Sequence, residues 1–263
     1  MVEMEQVVRD GVDGRQSTQV RVRVRNWIQL GTVSVVLGCG ALCALRVLLN
    51  PDRLNPVPMI SDASVKDPER MAYTLCMSSA ALLLMLFNGI IYLRRPVPRS
   101  GATFLTAAAV CLGAMAQMSS DYLLHHILSF LVFLFGFLWT VARVIMYRLL
   151  ATPLPPWCAT VHIILAAVQL LAATLVAAFA QAWNRRQGDD AWLHSTGRIY
   201  YTCMALSEYS AVLAFAATVQ LETYLLPHST TIGIQVVTES EGTDAVSANT
   251  APWTSKTEMQ VFL

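Results

Sequence analysis

Residues 55–70 read NPVPMISDASVKDPER, a polar stretch that lies between two long apolar runs, about 27–49 and 71–93. Its three prolines prevent one helix from continuing through it and favour extended geometry in the residues before them. Ser61 and Asp67 are residue types that cap helices. We therefore expect an ordered loop between two helices, each long enough to cross a membrane.

The composition of the whole chain is that of an integral membrane protein. Of its 263 residues, 55% are hydrophobic and only 13% are charged, whereas a soluble domain carries about 25% charged residues. The charges are clumped, which leaves apolar runs of about 20 residues. Six spans are predicted, at about 27–49, 71–93, 101–118, 123–147, 157–183 and 199–226.

The predicted fold is therefore all-α, a polytopic membrane bundle of six transmembrane helices over residues 26–226. The N-terminal tail, 1–25, ends in RVRVR, which taken alone resembles an edge strand. Its place directly before Trp27 favours a flank at the membrane surface. The C-terminal tail, 227–263, is rich in Ser, Thr and Glu and is predicted to be disordered.

The basic residues predict the orientation of the bundle. With the N-terminus in the cytosol, the inner side holds eleven of the eighteen Lys and Arg residues, namely Arg9, Arg15, Arg21, Arg23, Arg25, Arg94, Arg95, Arg99, Arg143, Arg148 and Lys256. Because cytosolic flanks are enriched in Lys and Arg, both termini are expected to be cytosolic. The 55–70 loop and the Ser119–Asp121 turn then face the lumen or the exterior.

The sequence offers no pattern typical of a metal or cofactor site. The six cysteines lie in or beside apolar runs, and no Cys/His spacing resembles a metal site or a disulfide framework. No basic patch with interleaved aromatic residues suggests a nucleic-acid partner. We predict no metal and no cofactor, and the expected partners are membrane lipids.

Glu208 is the most informative single residue, because it lies about ten residues from either end of the sixth span. A carboxylate at that depth is costly unless it faces the bundle and has a partner or a proton. Two interpretations stay open: a packing hydrogen bond, for instance with Gln117 or His162, or membership of a functional site. Arg46, near the outer end of the first span, is expected to reach the headgroups.

Asp121 and His126 flank the start of the fourth span. A carboxylate and an imidazole at the membrane surface could act as an acid–base pair on a lipid headgroup or acyl ester. A helix cap with an interfacial histidine is the alternative. His125 points about 100° away from His126 and is not expected to share the role. Ser61, at the opening loop, could supply a nucleophile or only turn chemistry.

The resulting site hypothesis places all these polar groups on one side of the membrane. The catalytic candidates are His126 as acid or base, Glu208 as its orienting partner, and Asp121. The candidates for binding a lipid or substrate are Ser61, Asp62 and Gln117.

Three stretches resemble the Frag/DRAM/Sfk family of six-span membrane proteins. PMISD at 58–62, followed by PER at 68–70, is similar to the family's P-x-I-S loop and to the entry of its second span. SSD at 119–121, with His126, Phe130 and Phe133, resembles the run S-S-x-E-N-x-x-x-H-x-x-x-F of the Frag branch. Residues 201–209, YTCMALSEY, are similar to the YT-x-x-AL-x-EY start of the last span.

The resemblance covers about residues 25–226 and implies a role in lipid remodelling of GPI anchors in the Golgi or endoplasmic reticulum membrane. GPI-anchored proteins would then be partners, and an acyl-transfer reaction would be the enzymatic form of this role. The DRAM and Sfk branches imply an alternative. This is a non-enzymatic regulator of autophagy or phosphoinositide signalling at lysosomal or plasma membranes.

Overall fold

The computed structural model describes residues 5–10, 15–49, 57–65, 67–94, 99–118, 122–149, 155–186, 196–226, 231–239 and 256–262. The chain forms two compact units. Residues 28–223 make up the first and are helical in the described part. The second combines residues 1–27 with residues 224–263. The two predicted tails therefore belong to a common unit.

Six α-helices lie in the described part of the chain: α1 Val24–Leu49, α2 Glu69–Arg94, α3 Arg99–Gln117, α4 Tyr122–Leu149, α5 Pro156–Arg185 and α6 Arg198–Tyr224. Each matches one predicted span. Five of them are long and apolar enough to cross a membrane, and α3 is a shorter apolar helix over Gly101–Gln117. The helical membrane domain is thus confirmed, whereas a sixth crossing by α3 stays a prediction.

The described residues of the tails contain four strands, which corrects the all-α prediction for the second unit. The strands are β1 Glu5–Asp10, β2 Arg15–Arg23, β3 Thr231–Glu239 and β4 Lys256–Phe262. They form one antiparallel sheet in the order β1-β2-β3-β4. The RVRVR stretch was predicted to be a flank, but its first three residues end an inner strand. Within the tail predicted to be disordered, β3 and β4 are ordered by pairing, which gives their backbone groups partners.

Small residues allow α3 to pack closely between α2 and α4. Ala108 and Ala116 are fully buried, and a Cβ at Gly113 would lie 3.6 Å from Ala81 on α2. One face of this Ala- and Gly-rich helix is therefore buried in the bundle. Next to it, the rings of Phe87 and Phe215 pack edge-on against Trp139 of α4.

Arg46 corrects a prediction about the first span. Its side chain is only 3% exposed, and Nη1 lies 2.9 Å from Oε1 of Glu69 at the start of α2. A guanidinium that reached the headgroups would be exposed. The ion pair joins α1 and α2 directly across the 50–68 connection. We call this end of the bundle the loop end.

Candidate functional site

Residues 57–65 pack against α6 at the loop end, where they form hydrogen bonds with Glu208. Its Oε2 accepts a hydrogen bond of 2.8 Å from the backbone N–H of Ile60. The hydroxyl and the backbone N–H of Ser61 interact with the same carboxyl. Ser61 opens a short 3-10 helix that ends at Ser64. The first N–H groups of a helix have no acceptor within it, so the Glu208 carboxyl satisfies them.

Two tyrosines of α6 hold the loop on either side of Glu208. The Tyr201 hydroxyl donates to Oδ2 of Asp62, and the Tyr209 hydroxyl donates to the carbonyl oxygen of Pro58. Positions separated by seven or eight residues lie on one face of a helix, so Tyr201, Glu208 and Tyr209 point toward the loop together. This explains the spacing of the YTCMALSEY stretch in physical terms.

An apolar cavity opens beneath this loop, among α1, α2, α3, α4 and α6. Ile60, Tyr73 and Glu208 line its loop end, which we call the neck. The cavity has about 960 Å³ of space between its walls, including the space at its open mouth. Apart from the neck, most of its walls consist of Ile, Val, Leu, Met, Ala and Phe side chains. A chamber of this kind with one polar end is suited to an amphiphile.

The Thr32 and Ser129 hydroxyl groups along the cavity walls already have partners within the protein. The Thr32 hydroxyl donates to the carbonyl oxygen of Ile28 at 2.8 Å, and the Ser129 hydroxyl lies 2.9 Å from the Met115 sulfur. Neither hydroxyl makes the middle of the cavity strongly polar. The carboxyl of Glu208 is therefore the main polar group that a ligand in the cavity would meet.

The structure brings only part of the predicted site together. Ser61, Asp62 and Glu208 lie together at the loop end, and their role in a functional site stays a prediction. Gln117 is exposed on α3, and its amide donates to the Ser78 hydroxyl at 3.3 Å. Asp121 lies outside the described residues. Neither Gln117 nor His162 is the partner of Glu208.

His125, and not His126, is the histidine that faces the neck. His126 is exposed, whereas His125 is 3% exposed and its ring lies 6.1 Å from that of Tyr73, a residue of the neck. The two histidine rings are 5.8 Å apart. Successive residues differ by about 100° on a helix, so one of the pair must face inward. The sequence does not fix the rotation of α4 that selects His125.

A second polar cluster was missed entirely, and it lies near the C-terminal end of α6. Nε of Arg143 lies 2.8 Å from Oε1 of Glu222, and Nη2 contacts the other carboxyl oxygen. The Tyr147 hydroxyl and Nε2 of His162, at 2.9 Å, contact the same carboxyl. His162 therefore partners Glu222. The sequence analysis assigned Arg143 to the cytosolic flank and did not consider Glu222.

A chain of uncharged groups lies next to this cluster. The Thr140 hydroxyl lies 3.3 Å from the side-chain oxygen of Gln169, whose amide donates to the Thr218 hydroxyl at 3.2 Å. All three residues are buried. These bonds connect α4, α5 and α6, and they satisfy polar groups that would be costly to bury alone. Together with the ion pair they indicate a structural junction of three helices.

No group of three or more potential metal ligands occurs among the residues that the structure describes. The six cysteines are free thiols. At the neck, the polar groups beside the apolar chamber are the Glu208 carboxyl, backbone N–H groups and hydroxyls.

Comparison with known families agrees with this architecture. The model of the Frag1/DRAM/Sfk1/Cwh43P N-terminal domain matches residues 26–224. The chain belongs to the Frag1/DRAM/Sfk1 family. The match covers nearly all of the six helices and none of the tail strands, so the loop end and the cavity lie inside the family domain. Searches of the curated proteins and of the solved structures found no match.

Proposed function

We propose that the protein takes part in the lipid remodelling of GPI anchors, as a six-span membrane protein of the Golgi or endoplasmic reticulum. Within its family we infer a kinship with post-GPI-attachment-to-proteins factor two of the Frag branch. The observation that carries the proposal is the apolar cavity with Glu208 at its neck and Ser61 hydrogen-bonded to that carboxyl. This combination suits a lipid whose chain is apolar and whose ester or hydroxyl groups are polar.

The proposed orientation places the loop end on the lumenal side, with both termini in the cytosol. The lipid portion of a GPI anchor lies in the lumenal leaflet, so its polar groups would meet residues 57–65. Glu208 would position this loop over the neck and face the polar groups of the lipid. Acid–base catalysis by His126 with Asp121 stays a prediction. The exposure of His126 favours contact with lipid outside the cavity.

The experiment is a rescue of cells that lack the protein, with the lipid composition of surface GPI-anchored proteins as readout. Glu208→Ala is expected to change that composition at normal expression, because the loop loses its acceptor on α6. His126→Ala tests the acid–base role separately. Leu213→Ala, an exposed position on the same helix as Glu208, is the matched control. The proposal is rejected if cells that lack the protein altogether have the same anchor lipids as wild-type cells.

The tail sheet supports a second candidate function, that of a non-enzymatic regulator. Strands from both tails pair in one folded unit, which offers a defined surface for a partner, unlike two separate disordered segments. Such a regulator would act at lysosomal or plasma membranes.

Deletion of residues 228–263 separates the two functions, because it removes β3 and β4 and leaves the six helices intact. Normal anchor lipids after this deletion favour the lipid role of the helical unit. The regulator is favoured if the deletion variant loses activity while the Glu208→Ala variant stays active.

The proposed orientation is tested independently with an epitope at the C-terminus. An antibody should reach this epitope only after the membrane is permeabilised.

A further inference from the structure

We propose that the cavity binds a single unbranched hydrocarbon chain of a membrane lipid, with the chain's ester or carboxyl end at the neck. The inference deepens the proposed function, since it names the chemical class of ligand, and it rests on that function only for the identity of the lipid. The binding site itself is argued from the dimensions, the lining and the ends of the cavity.

The length of the cavity corresponds to one leaflet of a membrane. Its lining extends from Tyr73 to Leu84 on α2, from Glu208 to Val219 on α6, and from Ile28 to Cys39 on α1. At a rise of about 1.5 Å per residue, each of these stretches is about 16 Å long. Half of a hydrocarbon core of roughly 30 Å is about 15 Å. An extended acyl chain that reaches the middle of the bilayer therefore has the length of the cavity.

The lining selects hydrocarbon over a polar ligand. Nearly all of the exposed lining is apolar, and the hydroxyls of Thr32 and Ser129 already contact the Ile28 carbonyl oxygen and the Met115 sulfur. A sugar or a peptide would lose its hydrogen bonds to water without replacement, which is strongly unfavourable. A methylene chain has no hydrogen bonds to water to lose. It gains dispersion contacts along the whole cavity wall, whereas a smaller ligand would contact only part of it.

The two ends of the cavity differ, which sets the direction of the chain. At the neck, Glu208 and Tyr73 provide polar groups beside the backbone of residues 57–65. At the far end, Ile28 and Val219 are each only 3% exposed and line the chamber with apolar side chains. A chain can therefore end at Ile28 and Val219 with its methyl group, but its polar end must stay at the neck.

The first experiment uses the purified full-length protein with two photoactivatable probes, a palmitic acid and a diacyl phospholipid carrying the same palmitoyl chain. Both probes bear a diazirine at mid-chain, so the two arms distinguish a free fatty acid from a lipid as the source of the chain. Crosslinks in the wild-type protein are expected on the lining residues Val212 and Phe215. Labelling only on lipid-facing residues such as Leu82 and Leu213 overturns the proposal.

A matched pair of neighbouring alanines tests the site by steric block. Ala216 lines the cavity, whereas Ala217 is exposed and lies outside it. Ala216→Phe is expected to reduce specific labelling about tenfold or more, the effect of losing about two buried methylene groups. Ala217→Phe is expected to label as the wild type does. Equal labelling of the two variants contradicts the proposal.

A second pair of variants tests the direction of the chain. It also distinguishes a specific steric effect from a folding defect. Val212 lies nearer to Glu208, and Val219 lies at the far end. Val219→Phe is expected to shift the preference from palmitic toward lauric acid in competition, because it shortens the chamber. Val212→Phe is expected to weaken both. A loss of labelling that is equal for the two chain lengths in Val219→Phe rejects the chain-length argument.

The outcome for the lipid role can be distinguished from the outcome for the binding site. If the chain binds as described but GPI-anchor lipids are unchanged in cells lacking the protein, the site stands and the proposed function fails. If anchor lipids depend on the protein but neither probe labels the lining, the proposed function stands and the chain site fails.

Discussion

The carboxyl of Glu208 accepts a 2.8 Å hydrogen bond from the backbone N–H of Ile60, although the two residues are 148 positions apart in the sequence. Both residues line the cavity at its neck. The bond therefore couples the position of the 57–65 loop to α6 and to the space below it. Removal of an acceptor from a buried N–H costs more than the bond contributed, because the donor stays desolvated.

This relationship predicts a graded response at position 208. Glu208→Ala leaves the Ile60 N–H without its acceptor and is expected to destabilise the fold by about 1–3 kcal/mol. Glu208→Gln keeps an acceptor oxygen and should lose less. Thermal unfolding of the purified protein in detergent measures both variants. Equal midpoints for wild type, Gln and Ala would show that the bond does not hold the loop.

The tyrosine hydroxyls at the loop predict a second, smaller effect. Tyr209→Phe removes the donor to the Pro58 carbonyl, and Tyr201→Phe removes the donor to Asp62. Each is expected to destabilise by about 1 kcal/mol and to speed proteolysis within residues 57–65. Tyr92→Phe, an exposed position on α2, is the control. Proteolysis that matches the control in both variants argues against the tethering role.

The ion pair between Arg46 and Glu69 predicts strong coupling, because both side chains are 3% exposed. Either single change, Arg46→Met or Glu69→Leu, leaves one buried charge and should destabilise by about 3–5 kcal/mol. The double variant should be much less destabilised than the sum of the two. The exposed pair Arg70–Asp67 has the same 2.9 Å distance and serves as the control. Its coupling should be about 1 kcal/mol or less.

The helices could be predicted from the sequence because a membrane span needs a long apolar run, and such runs are visible without knowledge of the partners. The side of the helix on which each polar residue is buried could not be predicted in this way. His125 and His126 differ by one position, so the rotation of α4 decides which is buried, and that rotation depends on side-chain packing with α2. The tail strands were missed because β2 pairs with β3, more than two hundred residues later, and no local pattern encodes the pairing.

Glu222 shows a different limit of the sequence. It lies near the end of the last helix, where a carboxylate is expected to be solvated at the membrane surface. Only the positions of Arg143 and His162 on other helices make it buried, at 2% exposure. Glu208, by contrast, is far from both helix ends and was recognisable from depth alone.

The Glu222 cluster predicts a structural role that is separable from the proposed lipid site. Glu222→Ala leaves Arg143 buried without its carboxylate and should destabilise by about 3–5 kcal/mol. Arg148→Ala, an exposed position five residues beyond Arg143 on the same helix, should change stability by less than about 0.5 kcal/mol. Thermal unfolding in detergent tests both. A small effect of Glu222→Ala would show that water reaches the cluster and replaces the carboxylate.

Two glycines of α1 provide the last prediction. A Cβ at Gly31 would lie 2.7 and 2.8 Å from the two methyl carbons of Leu83, a residue of the cavity wall, whereas a Cβ at Gly40 meets nothing within 4 Å. Alanine favours a helix over glycine by about 1 kcal/mol at either position. Gly40→Ala should therefore raise the unfolding midpoint.

Gly31→Ala should not show the stabilisation expected from the higher helix propensity of alanine. Leu83 has to shift to make room for the new Cβ, and overpacking costs about 1–3 kcal/mol. The shift of Leu83 also changes the cavity wall, so labelling by the photoactivatable palmitic acid should fall in Gly31→Ala and stay unchanged in Gly40→Ala. The comparison removes the common effect of helix propensity, which leaves the contact with Leu83 as the difference. Identical midpoints and labelling for the two variants would show that α1 moves freely away from α2 at this position.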